Sequence, residues 1–197
     1  MSKLLALDVA ILPPPNAGGR AIQLSATLPD SESQGLRLDA EHLPHITLTQ
    51  QFVRVDDLDA IFERIDEALR AQPPLTIRVT GGGKGASSVW MAVERTPAIS
   101  RLHERLMETL RAFEQPGGGP TAFFERDARV GDVAWVTGYR LSSSFSVYMP
   151  HITLGHAGEP PRVEPCTFEA TNVAACHLGR FCSCRRVLRQ WELGSGM

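Results

Sequence analysis

Apolar residues in this chain fall into short runs broken by Pro, Gly and polar clusters, the pattern of strands mixed with amphipathic helices. Residues 4–12, Leu-Leu-Ala-Leu-Asp-Val-Ala-Ile-Leu, predict a buried strand, closed by Pro13-Pro14-Pro15-Asn16 and the flexible Ala17-Gly18-Gly19. Ile22, Leu24, Ala26 and Leu28 alternate with Gln23, Ser25 and Thr27, which predicts a half-buried strand paired with the first as a hairpin. Pro29 to Glu41 is polar and turn-rich, a surface loop. After a strand ending near Val53, Asp56 or Asp57 can cap a helix to about Ala71, with Leu58, Ile61, Ile65 and Leu69 on one stripe and Pro73-Pro74 beyond it. Leu75–Thr80 and Ser88–Val93 alternate as strands. Between them, Gly81-Gly82-Gly83-Lys84-Gly85 predicts a mobile hairpin turn with Lys84 solvated, because the Gly-x-x-x-x-Gly-Lys-Ser/Thr order of a phosphate loop is missing.

A second amphipathic helix is predicted from about Pro97 to Glu114 on Ile99, Leu102, Leu106, Leu110 and Phe113, with His103 at its boundary. Gln115 to Pro120 reads as a linker. Val133, Trp135 and Val136 suit a short helix or a strand over Val130–Gly138, the helix being favoured, and Tyr139–Phe145 a polar loop. Cys166–Leu178 and Arg180–Trp191 predict further strands. Strands with at least one amphipathic helix in each half predict an α+β fold, a bilobal pseudo-two-fold arrangement of antiparallel sheets with helices packed on the outer faces. The whole chain, residues 1–197, is expected to be one bilobal domain with lobes near 1–115 and 116–197 and room for strand exchange between them.

One piece of the pattern occurs twice. Pro44-His45-Ile46-Thr47-Leu48 returns as Pro150-His151-Ile152-Thr153-Leu154. Pro sets an extended entry and the β-branched pair favours a strand, so His45 and Thr47 point one way while Ile46 and Leu48 point the other, and likewise at the second copy. A pseudo-two-fold axis would bring both imidazole-hydroxyl faces to one cleft. Two such rings make an acid and base pair, since an unperturbed imidazole titrates near ~6.5.

Composition narrows the partner. A formal charge of −2 and a pI near 6.3 lack the basic footprint of a protein that coats long nucleic acid, so a small phosphorylated ligand or an RNA end fits better. No apolar run reaches membrane-spanning length or makes a convincing signal peptide, and a cytoplasmic monomer is the expectation. The four cysteines, Cys166, Cys176, Cys182 and Cys184, form no C-x-x-C knuckle and read as buried reduced thiols, with Cys182 and Cys184 on one strand face. Each His-x-Thr supplies a single metal ligand, with no Cys, Asp or Glu at ligand spacing beside it. No metal and no cofactor is expected. His156 does not repair that deficit, and His42 reads as a solvated loop residue.

The paired tetrapeptides His45-Ile46-Thr47-Leu48 and His151-Ile152-Thr153-Leu154 resemble the signature of the 2H phosphoesterases, which include bacterial 2′,5′ RNA ligase and cyclic phosphodiesterase proteins. The resemblance implies a bilobal fold and a metal-independent phosphodiesterase acting on 2′,3′-cyclic phosphates or 2′,5′-linked nucleotide or RNA ends. In it, His45 and His151 are the acid and base, in an order the sequence leaves open, and Thr47 and Thr153 hydrogen-bond the non-bridging oxygens. Tyr148 and Tyr139 are candidate base-stacking residues, with ordinary packing as the alternative, and Arg140 is either a phosphate neighbour or a solvated charge. A non-catalytic nucleotide or RNA-end binding module using the same cleft is the competing class.

Overall fold

Alternating aliphatic residues and amphipathic stripes resolve into eight strands and four α-helices among the described residues. The structure is a computed structural model and describes residues 3–194. In chain order the elements are β1 (Leu4–Leu12), α1 (Pro15–Ala26), β2 (Ile46–Arg54), α2 (Leu58–Leu69), β3 (Leu75–Lys84), β4 (Ser88–Val93), α3 (Pro97–Thr109), α4 (Val130–Ser142), β5 (His151–His156), β6 (Cys166–Ala170), β7 (Asn172–Leu178) and β8 (Cys184–Glu192). The strands form two antiparallel four-stranded sheets, ordered β2-β1-β7-β8 and β5-β4-β3-β6.

The two repeats therefore occupy equivalent places. Each histidine-bearing strand is the edge strand of its own sheet, and each is paired with the strand that precedes it there, β2 with β1 and β5 with β4. Both pairings carry a bulge at the same point. Val9 faces Thr49 while Ala10 faces Thr47, so Leu48 is the extra residue; Val89 faces Gly155 while Trp90 faces Thr153, so Leu154 is the extra residue. Gly155 holds φ at +145°, and a Cβ there would lie 2.9 Å from Leu28 Cδ1.

A bulge leaves main-chain groups outside the ladder, and here helices supply their partners. Ser25 of α1 donates to Leu154 O at 2.6 Å, and His103 of α3 lies 2.6 Å through Nδ1 from Leu48 O. Leu5, Leu7, Val9 and Ile11, with Ile46, Leu48, Ile152 and Leu154, face a core shared with Ile61 and Ile65 of α2 and with Ile99, Leu102 and Leu106 of α3. Slipping β2 by one residue would expose Ile46 and Leu48, at about 1.5–3 kcal/mol each, and bury His45 and Thr47. The apolar face thus decides where the imidazole points.

Several sequence expectations change. Residues 15–26 form helix α1 and not a strand: Pro15 stands in the first helical turn, where its fixed φ and missing N–H are assets, so the proline run starts a helix. Gly81–Lys84 is not a hairpin turn but the end of β3, and Lys84 is paired with Glu159 at 2.5 Å. Tyr139 lies within α4, which runs on to Ser142, and does not begin a loop. The Cys166–Leu178 stretch breaks at Thr171, sending β6 to one sheet and β7 to the other. Each sheet takes strands from both sides of residue 115, so the chain crosses between the sheets more than once. Helices α2 and α3 pack on the apolar side of the sheets, but α4 lies on the histidine side of the first, where Val136 joins Ala6, Ala10, Phe52 and Phe123.

Candidate active site

His45 and Thr47 are half-buried and lie on the face of β2 opposite the core, as do His151 and Thr153 on β5. The two edge strands meet. Tyr148, just before β5, donates its hydroxyl proton to Thr47 O at 2.9 Å. Each imidazole is oriented by the same local device: Nδ1 of His45 lies 2.8 Å from Leu43 O, and Nδ1 of His151 lies 2.8 Å from Met149 O. With Nδ1–H donating to the carbonyl two residues back, each ring when uncharged carries its lone pair on Nε2 and when charged presents an Nε2 proton. Burial is the main reason that the His151 imidazole titrates below the ordinary histidine range, and a charge on His45 adds to it against the hydrogen bond to Met149.

The halves differ beneath the rings. Asp8 of β1 is completely buried, its Oδ2 accepting from Thr47 Oγ1 at 2.8 Å and Gln50 Nε2 at 2.7 Å and lying 3.7 Å from His45 Nε2. Burial pushes the Asp8 carboxyl up, opposed by His45, Gln50 and Thr47. The bulge at Leu48 is what lets Thr47 and Gln50 share a face and reach one oxygen. Gln50 in turn accepts from the Trp135 indole at 3.0 Å, tying α4 to this floor. On the second sheet the positions matching Asp8 and Gln50 are Ser88 and His156, and His156 turns to Ser87 and Phe181. Beside His151 stands Trp90, with ring centroids 5.2 Å apart. Its indole lies over Gly83, where a Cβ would fall 2.2 Å from Nε1, which explains the glycine run in β3.

The structure thus brings His45, Thr47, His151 and Thr153 to one region but withdraws both tyrosines from it. Tyr148 and Tyr139 are each only 3% exposed, and Tyr148 stacks on His103 with centroids 3.8 Å apart and its hydroxyl committed to Thr47 O. Neither ring presents a face for a base; both are packing residues. Arg140 is also spoken for, by Glu114 at 2.5 Å and Met107 O at 2.7 Å. His103 is fully buried and not at a boundary, and His42 contacts Asp39 and Arg185. All four cysteines are free thiols, with Cys176 and Cys184 buried. Cys182 lies in a turn at φ +53°, apart from the strand face of Cys184. Sequence reasoning marks none of Asp8, Gln50, Trp90 or Cys184 as a site residue. The first carries a signal, being the lone charge in the apolar run of residues 4–12.

Comparison with known proteins bears on the family and the fold. The model of the 2′-5′ RNA ligase superfamily matches residues 13–177. Among solved structures, Escherichia coli LigT in its complex with 3′-AMP superposes with a TM-score of 0.61 at 20% identity, covering 98% of this chain and 100% of LigT. The protein TT0787 of Thermus thermophilus gives a TM-score of 0.61 at 16% identity, over 96% of this chain and 98% of that one. A structure described as a phosphoesterase gives 0.62 at 20% identity, over 96% and 98%. No curated protein sequence matches. No helix among the described residues is long and apolar enough to cross a membrane.

Proposed function

Because the chain belongs to the 2′-5′ RNA ligase superfamily, we propose that it is a phosphodiesterase opening 2′,3′-cyclic phosphates or cleaving 2′,5′-linked nucleotide or RNA ends, with His45 and His151 as its proton-transferring pair. The observation that carries this reading is the symmetric presentation of the two imidazoles. Each sits on a bulged edge strand, each is fixed through Nδ1 to the carbonyl two residues back, and each turns Nε2 away from that anchor. That arrangement supports in-line displacement at phosphorus, with base and acid on opposite sides. A nucleotide ligand is supported by the LigT structures, which include complexes with 3′-AMP, phosphate and ATP.

The asymmetry between the two halves supports one division of roles. His151, whose burial favours the uncharged ring, accepts the proton of the attacking water; His45, with the Asp8 carboxyl 3.7 Å from Nε2, gives its proton to the departing ribose oxygen. Thr153 has no protein hydrogen-bond partner for its hydroxyl among the described residues, which leaves it available to a non-bridging oxygen. The Thr47 proton is engaged by Asp8. Trp90, half-exposed beside His151, offers a face for a base or sugar. The two imidazoles carry every proton in these steps.

The test is hydrolysis of 2′,3′-cyclic mononucleotides and 2′,5′-linked dinucleotides with EDTA present. His45→Ala and His151→Ala should each lower turnover by about 10²–10⁴-fold with the fold retained. Parental rates in both variants would overturn the assignment. Binding of these nucleotides with no turnover by the unaltered chain would favour the non-catalytic module.

A further inference from the structure

The floor under His45 brings a carboxyl and a thiol to within reach of that imidazole. Asp8 on β1, His45 ahead of β2 and Cys184 opening β8 each present one ligand atom, and the three atoms lie within 4.8 Å of one another. Although β2 and β8 are opposite edges of their sheet, a backbone bridge from Leu43 N to Cys184 O at 3.0 Å holds the start of β8 against the segment that carries His45. Neither Asp8 nor Cys184 stands at ligand spacing from His45 in the sequence; the fold brings them there.

Asp8 is the unusual member. It is fully buried, its Oδ1 has no hydrogen-bond partner, and no Lys or Arg among the described residues forms an ion pair with it. A buried carboxylate is ordinarily paired with a cation or bound to a metal. Cys184 is likewise fully buried. A divalent cation would give the buried carboxylate a counter-charge, and with a thiolate as the second anion its two charges are neutralised. The His45 tautomer also fits: Nδ1 is anchored on Leu43 O, as metal-binding imidazoles are anchored by a carbonyl, leaving Nε2 to ligate. Two ligands about 2.0–2.1 Å from a tetrahedral zinc lie roughly 3.3 Å apart. Nε2 and Asp8 Oδ2 stand at 3.7 Å.

We propose that Asp8, His45 and Cys184 form a three-ligand site for a zinc-class cation whose fourth position opens to the cleft, and that filling it switches off turnover by capturing Nε2 of His45. The mixed oxygen, nitrogen and sulfur donors select zinc or cobalt over magnesium or calcium. On ligation the Cys184 thiol loses its proton to solvent, and no redox change occurs. Occupancy stands on the geometry alone; the inhibitory half rests on the proposed role of His45.

The experiment uses the full chain, chelator-stripped, titrated with Zn²⁺ and with Co²⁺ and assayed on a 2′,3′-cyclic nucleotide. We expect one tight equivalent, a thiolate-to-cobalt charge-transfer band, and at least about tenfold loss of turnover that EDTA reverses. Cys184→Ala should keep its metal-free turnover, lose the band and resist zinc, and Asp8→Asn should bind at least about tenfold more weakly. Absence of the band in the unaltered chain overturns the site, whether or not the variant folds. So does equal zinc binding by Cys184→Ala. Cysteine-dependent binding without inhibition of an active protein overturns the switch. Cysteine-dependent binding by a protein inactive even without metal upholds the site and instead overturns the phosphodiesterase reading.

Discussion

The Tyr148 hydroxyl donates to the main-chain carbonyl of Thr47 at 2.9 Å, so the segment leading into the second histidine is fastened to the strand that bears the first. No backbone ladder joins β2 to β5, which belong to different sheets. This bond ties the residue three positions before His151 to the residue two positions after His45.

Tyr148→Phe should therefore keep the stacking on His103 and remove only the fastening. We expect a loss of about 0.5–1.5 kcal/mol in denaturant unfolding. Turnover should fall by more than stability does, since a small misplacement of paired proton donors is costly. Unchanged turnover in a destabilised variant would show that the bond serves folding alone.

The two threonines should separate by phenotype. Thr47→Val removes a donor from a buried carboxylate and should cost about 1–3 kcal/mol of stability. Thr153→Val touches no protein partner, so its melting temperature should hold while kcat falls by roughly 10- to 100-fold, as expected when one of several phosphoryl donors is lost. Thermal melts alongside kcat for both variants check this.

His103 links the core to the loop before β5. Its Nδ1 faces Leu48 O, and its Nε2 accepts from the N–H of Phe145, whose φ of +54° lies in the left-handed region. Burial, chiefly, depresses its pKa. Between the unfolded value near ~6.5 and the lower folded value, the unfolded chain binds the proton and the folded chain does not, so stability falls as pH falls through that window. His103→Gln should flatten this slope in urea titrations between about pH 5 and 7.5, while lowering stability at neutral pH by about 1–3 kcal/mol.

Trp90 tests the ligand platform. Stacking of a base on an aromatic ring contributes about 1–3 kcal/mol, so Trp90→Ala should raise KM for a cyclic nucleotide roughly five- to hundredfold with little change in kcat. Gly83→Ala should do the same less directly by displacing the indole, reported by tryptophan fluorescence. A KM unmoved by either change would remove Trp90 from the binding surface.

Much of the site was legible because strand parity is local. Ile46 and Leu48 had to be buried, so His45 and Thr47 had to face the other way, and the same reasoning held at Ile152 and Leu154. Helices α2 and α3 were legible for a similar reason, their stripes repeating at helical spacing. Helix α1 was not. Its Ile22, Leu24 and Ala26 fit a period of two as well as a helix, and docking against β5 through Ser25 decides between them.

By itself, the sequence determined that two imidazole-hydroxyl pairs would stand on apolar-backed strands, because side-chain alternation needs no knowledge of the rest of the chain. Tertiary structure alone decided that those strands are sheet edges meeting across a tyrosine bond. It also decided that Asp8 and Cys184 lie beneath one histidine, and that the tyrosines serve packing. Those outcomes depend on sheet order and on two bulges, which join residues far apart in the chain and leave no periodic trace in it.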